Sequence, residues 1–354
     1  MIVKNEAHVI ERAINSVRPY ISCWAISDTG STDGTQAIIR NALADLPGAL
    51  IERPWKNFGH NRNEALALAE PMAQHILILD ADELLEVEGD FDTEGLTADS
   101  YRVRKIRGPF SYYVPNIIKS GIEWRWIGVI HEYLHSDTER ETVHLDHVRI
   151  TSLPDGARSH SPDTFRRDAE VLEEALIDEP SNSRYVFYLA NAYRDSGELN
   201  RAILNYERRA TMGGWEEEIF VALWRLAECK LARGDDWDGC LTAFLRAHEH
   251  DVSRAEPLFV AGRAAAKRGY WGTAYLLLSR AATIPHPGHV MHLVMEDVYA
   301  FRALLDAGVA AHQLGLHKEA IALNEQIIAQ DCIPAFWRQK AMENRAVSLE
   351  FKSN

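Results

Sequence analysis

Four glycines, Gly197, Gly234, Gly269 and Gly315, each sit between two alanine-rich stretches of helical periodicity. They lie roughly 37, 35 and 46 residues apart. Two of those intervals approach the ~34-residue period of stacked helical hairpins, and the third leaves room for an insertion around Pro285-His-Pro-Gly288. A unit of this size buries its apolar face only against its neighbours. Whether stacked as a solenoid or gathered as a bundle, the second half of the chain is all-α.

The first half has a different texture. After Met1-Ile2-Val3, the residues Val9, Ile10, Ala13, Ile14 and Val17 fall at helical spacing, and Cys23 to Ile26 forms the next apolar run. A second helix is predicted from about Thr35 to Leu46, a strand over Ala49 to Ile51, and a third helix over Asn63 to Ala69. His75-Ile-Leu-Ile-Leu79 reads as a fully buried strand that delivers its end into Asp80-Ala-Asp-Glu83. Strands alternating with helices are the signature of βαβ units around a largely parallel sheet. Between Ser100 and Leu153 aromatic, alternating segments suit antiparallel or mixed strands. Ser161-Pro162-Asp163 looks like the start of a long helix ending before Pro180.

Charge narrows the partners. With 52 acidic against 38 basic residues the formal net charge is −14, which repels phosphate polymers and anionic lipid. No run of about 18 apolar residues exists, and the first residues carry charge where a signal peptide is apolar. Cys23, Cys229, Cys240 and Cys332 form no CxxC pair, so they read as reduced thiols in a cytoplasmic protein.

Three separated segments converge at the carboxyl ends of the strands, where open α/β sheets bind ligands. In Ser27 to Thr35 a polar, glycine-rich turn sets Asp28 to accept hydrogen bonds from a base or ribose, with Thr32 or Asp33 capping the following helix. In FGHNRNEAL, Arg62 offers a planar fork for phosphate, and Asn61 and Asn63 are predicted to open a helix. Asp80 and Asp82 form a carboxylate pair able to hold a hard divalent cation against a diphosphate.

Taken in order, MIVKNEAHVIERAINSV, DTGSTDGTQAII and FGHNRNEALALA…HILILDADE resemble the inverting nucleotide-sugar glycosyltransferases of family 2. The second half resembles tetratricopeptide repeats. The implied architecture is an α/β GT-A (Rossmann-like) catalytic domain over 1–160, a linking helix over 161–182 and an all-α tetratricopeptide-like domain over 183–354. The resemblance implies a UDP-sugar donor, with Asn5, Glu6 and Asp28 around the nucleoside and Arg62 and Asn63 near the sugar-nucleotide. It puts Asp80 at the ribose or a metal-bound water, and Asp82 and His160 on Mn²⁺ or Mg²⁺. Glu132, in WRWIGVIHEYL, is the implied general base. Peptide, protein, glycan and modified nucleic acid all stand as acceptors. The repeats suit holding that acceptor, scaffolding a homodimer or buttressing the catalytic domain.

Two other readings compete. His131-Glu132-Tyr133-Leu134-His135 is an HExxH string that on a helix would bind zinc for peptide hydrolysis, with Glu141, His144 or His147 as third ligand. A catalytically inactive scaffold acting through the repeats is the other. Trp124 and Trp126 are suited either to stacking on a sugar or to the core.

Overall fold

The computed structural model describes residues 1–160 and 163–352, the side chains of 159, 160 and 352 excepted. Its contacts divide the chain into two compact units, Met1–Gly197 and Glu198–Asn354.

The first unit holds a parallel sheet, a mixed sheet and a separate two-stranded pair. Strands β1 (Ile2–Val3), β2 (Trp24–Asp28) and β3 (Gly48–Glu52) run parallel in that order, with Val3 opposite Asp28 and Asp28 opposite Glu52. Helix α1 (Ile10–Val17) buries Ile10, Ala13, Ile14 and Val17, the face its periodicity predicts. Ile10 and Ile14 pack with Val3, Ile26 and Ile39, whereas Ala13 and Val17 pack with Leu79 and with Leu85 and Val103 of the second sheet. Helix α2 (Thr35–Ala42) ends before the predicted Leu46, and its N-cap is Gly34 rather than Thr32 or Asp33. Asp33 instead accepts hydrogen bonds from the Thr35 amide and hydroxyl.

Helix α3 (Phe58–Ala69) begins five residues before the predicted Asn63, because Asn57 caps it, accepting from the His60 amide at 2.8 Å. Strand β4 (His75–Leu77) is three residues long and only half-buried, where a buried five-residue strand was predicted. One edge pairs antiparallel with β7, and no described strand covers the other. The remaining strands are β5 (Glu83–Val87), β6 (Ser100–Arg107), β7 (Phe110–Lys119), β8 (Arg125–Ile127), β9 (Tyr133–His135) and β10 (Thr142–Ser152). β6 pairs antiparallel with β7 and parallel with β10, and β10 antiparallel with β5, so the second sheet is mixed as its alternating sequence implies. Helices α4 (Thr164–Asp178) and α5 (Ser183–Asp195) complete this unit.

In the second unit each helix packs on the next: α6 (Leu199–Arg209), α7 (Glu216–Arg233), α8 (Trp237–His250), α9 (Glu256–Lys267), α10 (Trp271–Thr283), α11 (Ala303–Gln313), α12 (His317–Ile328) and α13 (Ala335–Lys352). The repeat glycines have φ of 84° at Gly197, 88° at Gly234, 76° at Gly269 and 75° at Gly315. Helix ends turn through this left-handed region, which glycine enters without a Cβ clash. The insertion after α10 is held by a buried network at the start of α9. Arg254 bonds Glu256 at 2.8 Å, Tyr299 donates to Glu256 at 2.7 Å, and the Met295 amide donates to it at 3.2 Å. No helix among the described residues is long and apolar enough to cross a membrane. The four cysteines are free, two of them buried.

Arg254 and Glu256 have side chains 1% and 0% exposed. Glu256→Ala strands a buried guanidinium and is expected to cost about 3–5 kcal/mol, read as a lowered urea midpoint. The double variant Arg254→Met/Glu256→Leu, with no charge left unpaired, is expected to recover much of that loss.

Candidate active site

The carboxyl ends of β1 and β2 are tied together by the polar turn between β2 and α2. Asn5, at φ 58°, donates its amide to Ser31 Oγ at 2.8 Å and accepts from the Thr32 amide at 2.8 Å. Asp28 is fully buried. Its Oδ1 accepts from the Gly30 and Ser31 amides, both at 2.8 Å, while its Oδ2 is buried without a hydrogen bond. An unsatisfied buried acceptor costs about 1–3 kcal/mol, a penalty that a ligand N–H would remove. The Glu6 amide donates to Thr35 Oγ1 at 2.9 Å, and its Oε2 accepts from the Ala157 amide at 3.1 Å.

Arg62, on the second turn of α3, is the junction of the site. Its guanidinium meets Asp80 at 2.8 Å and Glu132 Oε1 at 2.5 Å, and its Cζ stands 5.0 Å from the Trp126 ring centroid. The Arg62 and Glu132 side chains are 13% and 8% exposed. Three distant stretches of sequence thus meet in one charge cluster. Glu132 Oε2 bonds no described residue. Arg62 is engaged with these carboxylates, not left as an open phosphate fork.

Asn63 is engaged with the backbone of Trp126. Its side chain donates to the Trp126 carbonyl at 2.9 Å and accepts from the Trp126 amide at 2.8 Å, pinning β8 to α3. Trp124 is core, and its indole donates to the Lys119 carbonyl. Asn61, likewise buried, holds the Lys56 amide and the Pro54 carbonyl rather than opening the helix.

Asp80 and Asp82 leave the same turn but meet different surroundings. Burial disfavours the charged form of Asp80, yet Arg62 and Lys105 outweigh it and hold its carboxyl below the usual carboxylate range. Asp82 is pushed up, first by burial and then by the charge of Asp80, and its carboxylate accepts no hydrogen bond from another described residue. Glu6 is also pushed up, by burial and in smaller part by Asp82, against the Ala157 amide. Such carboxylates favour a neutralising cation. Among the described residues no three His, Cys, Asp or Glu side chains are grouped to hold one. The His160 side chain lies outside the described residues.

The HExxH string is not helical. His131 has φ 51°, Tyr133–His135 is strand β9 paired with β8, and the His131 ring stacks on Tyr188 at 4.0 Å. Glu132 is bound to Arg62, and His135 to Asp137 at 2.9 Å. His144 and His147 lie on β10 with their rings against Tyr113 and Phe91, so they complete no zinc site with the string.

Residues not singled out from the sequence complete the surroundings. Lys105 forms an ion pair with buried Glu83, beside Asp80. The signal was available: Tyr101, Val103 and Lys105 share one face of β6, and the first two are core, so a cation on that face needs a buried partner. Gly59 lets α3 approach the loop carrying Glu132, because a Cβ there would lie 2.3 Å from the Gly128 carbonyl oxygen.

Gly→Ala inside a helix ordinarily stabilises by about 0.5–1 kcal/mol. Gly59→Ala is expected to reverse that sign, destabilising by about 1–3 kcal/mol in thermal melts. Asp82→Asn is expected to raise the melting temperature at pH 7. A carboxyl whose folded pKa is raised supports the fold below its unfolded pKa and loses that support as pH rises through the folded one. The gain should therefore shrink on acidification, and a melting-temperature series from pH 7 to pH 4 reads it directly.

Residues 1–89 match the family profile Glycosyl transferase family 2. A TPR repeat-containing protein of Synechococcus elongatus is 26% identical over 254 residues, 66% of this chain and 62% of that one. The SPbeta prophage-derived glycosyltransferase SunS of Bacillus subtilis is 24% identical over 243 residues, 59% of this chain and 53% of its own. An uncharacterized glycosyltransferase of Rickettsia felis is 38% identical over 88 residues, covering 25% of this chain and 29% of that one. The chain thus spans less than two thirds of the length of these curated relatives. Among solved structures, MamA aligns with a TM-score of 0.37 at 18% identity, covering 53% of this chain and 92% of that one. The TPR protein YrrB aligns at 0.36 and 15% identity, covering 54% and 85%. The match to family 2 glycosyltransferases thus lies in the first 89 residues, and the chain continues into successive helices with positive-φ glycines between them.

Proposed function

We propose that the first unit transfers a sugar from a nucleoside diphosphate sugar, a UDP-sugar in the first instance, to an acceptor nucleophile with inversion at the anomeric carbon. The observation that carries this reading is the Arg62 bridge between Asp80 and Glu132, which joins the family-matched segment to the carboxylate proposed to act on an acceptor.

In this reading Asn5, Glu6 and the turn around Asp28 receive the nucleoside, and a base N–H satisfies Asp28 Oδ2. Asp82, with His160 proposed as its companion, would hold the Mn²⁺ or Mg²⁺ whose charge neutralises the departing diphosphate. Arg62 fixes Glu132 through Oε1 and leaves Oε2 to take the acceptor's proton as the nucleophile forms its bond to the anomeric carbon and the bond to the diphosphate breaks. Asn63 acts at one remove, by holding Trp126 beside Arg62. The free cysteines suit the reducing cytoplasm proposed for the protein.

The test is calorimetric binding of UDP-, GDP-, TDP- and CMP-sugars with and without Mn²⁺. One donor is expected to bind in a metal-dependent way, stabilising the fold by about 2.7 kcal/mol at a hundredfold excess over Kd. Asp82→Ala should abolish the metal-dependent part. Glu132→Gln should keep donor binding and lower transfer by about 10²–10⁴-fold over a panel of peptide and glycan acceptors. A folded protein that binds no donor would move the reading to a scaffold working through its repeats.

A further inference from the structure

The loop that carries Glu132 is gripped from two sides. On one side stands α3: the Phe58 amide donates to the Val129 carbonyl at 3.2 Å, and Arg62 takes the Glu132 carboxylate. On the other stands α5. The Tyr185 hydroxyl accepts from the Val129 amide, and Arg184 Nε donates to the His131 carbonyl at 2.9 Å. The Tyr188 ring lies flat against that of His131, 10° from parallel with centroids 4.0 Å apart. The Arg184 Cζ also stands 5.1 Å from the Tyr133 ring centroid. Contacts from α5 therefore reach the chain on both sides of Glu132.

These contacts fall where the backbone needs them. His131 has φ 51°, a left-handed conformation that a residue with a Cβ keeps only where its surroundings impose it. Its carbonyl belongs to the planar peptide unit that ends in the Glu132 amide, so the Arg184 bond fixes the plane from which the Glu132 side chain departs. Arg62 cannot do this, because it holds one carboxylate oxygen at the far end of a flexible side chain. Burial, then the charges of Arg158, Arg184 and Arg107, hold His131 down to about 3, so its ring stays neutral against Tyr188. The sequence of α5 separates this task from packing. Val186, Leu189 and Ala190 belong to the buried face of the helix, whereas Arg184 and Tyr188, four residues apart, share its less buried side.

We propose that α5 is a positioning element for the general base: Arg184 and Tyr188 set the backbone of His131 and so aim Glu132 Oε2 at the acceptor. The proposal rests on the role given to Glu132 under the proposed function. Both residues act through Glu132 and need touch neither donor nor acceptor. The carboxylate is then held at two levels, its Oε1 by α3 and its main chain by α5.

Tyr188→Leu, Arg184→Met and Tyr188→Phe in the full chain test this against the wild type. Hydrogen exchange read by mass spectrometry over residues 128–135 is expected to quicken about tenfold or more in the first two, and to keep the wild-type rate in Tyr188→Phe, which retains the stack. Thermal melts check that each variant stays folded, and Arg184→Met carries the test if Tyr188→Leu does not. Turnover is read with the sugar donor that binds in calorimetry, and with water and the acceptor panel as nucleophiles. Tyr188→Leu and Arg184→Met should lower kcat about 10²-fold and leave the donor Kd within about twofold. On a Glu132→Gln background the same substitutions should cost nothing more, because they act through that carboxylate. Unchanged exchange overturns the proposal, and so does a loss of turnover equally large on the Glu132→Gln background. A wild type that binds no donor, or binds it without turnover, overturns the reading of Glu132 and the proposal with it, and that silence of the wild type tells this failure from the other two.

Discussion

The first unit is organised around one guanidinium. Arg62 is almost wholly buried, and a buried charge is tolerable only when its partners are close and well oriented. Two carboxylates answer it, one from the turn after β4 and one from the loop before β9, so neither segment moves without stranding a charge. The rest of α3 serves the same end. Asn57 fixes where the helix begins, Gly59 allows the Glu132 loop to approach, and Asn63 locks β8 through both polar groups of Trp126. Consecutive turns of one helix therefore set the loop geometry that the proposed chemistry requires.

Asp80 and Asp82 show how environment divides two like residues. Asp80 faces two cations and is held in its charged form, so it is structural as much as it is polar surface. Asp82 faces Asp80 and Glu6 and has no cation bonded to it. The segment after β10 seals this side: the Leu153 amide donates to the Asp82 carbonyl at 3.0 Å, and Asp155 is held by Arg12 through two bonds of 2.9 Å. A half-buried carboxylate kept short of partners costs stability. Such a cost is commonly retained where a ligand recovers it.

Much of this was legible in the sequence where periodicity or turn chemistry acts locally. The apolar spacing of α1 and the positive-φ glycines between helices need no tertiary information. What was missed depends on contacts made across the fold. Asn63 looks like a free polar residue until β8 is brought against it. The HExxH string has helical spacing of its histidines, yet β8 pairs with Tyr133–His135 and draws it into a strand. The predicted start of α3 at Asn63 lies too late because Asn57, the true cap, declares itself only through its bond to the His60 amide. Lys105 was passed over as one charge among several on β6.

The site draws on both sheets. Asn5 and Asp28 follow or end strands of the first, Asp80 and Asp82 lie between β4 and β5 of the second, and Glu132 sits between β8 and β9, which pair with each other alone. No described strand pairs one sheet with the other. Their alignment rests on side chains: α1, with Ile10 and Ile14 in one cluster and Ala13 and Val17 in the other, and α3, which carries Arg62. Side-chain packing resists shear less stiffly than a hydrogen-bonded ladder does, because its contacts are individually weak and non-directional. The nucleoside end and the carboxylate end are therefore held in line by the packing of α1 and α3 rather than by a shared ladder.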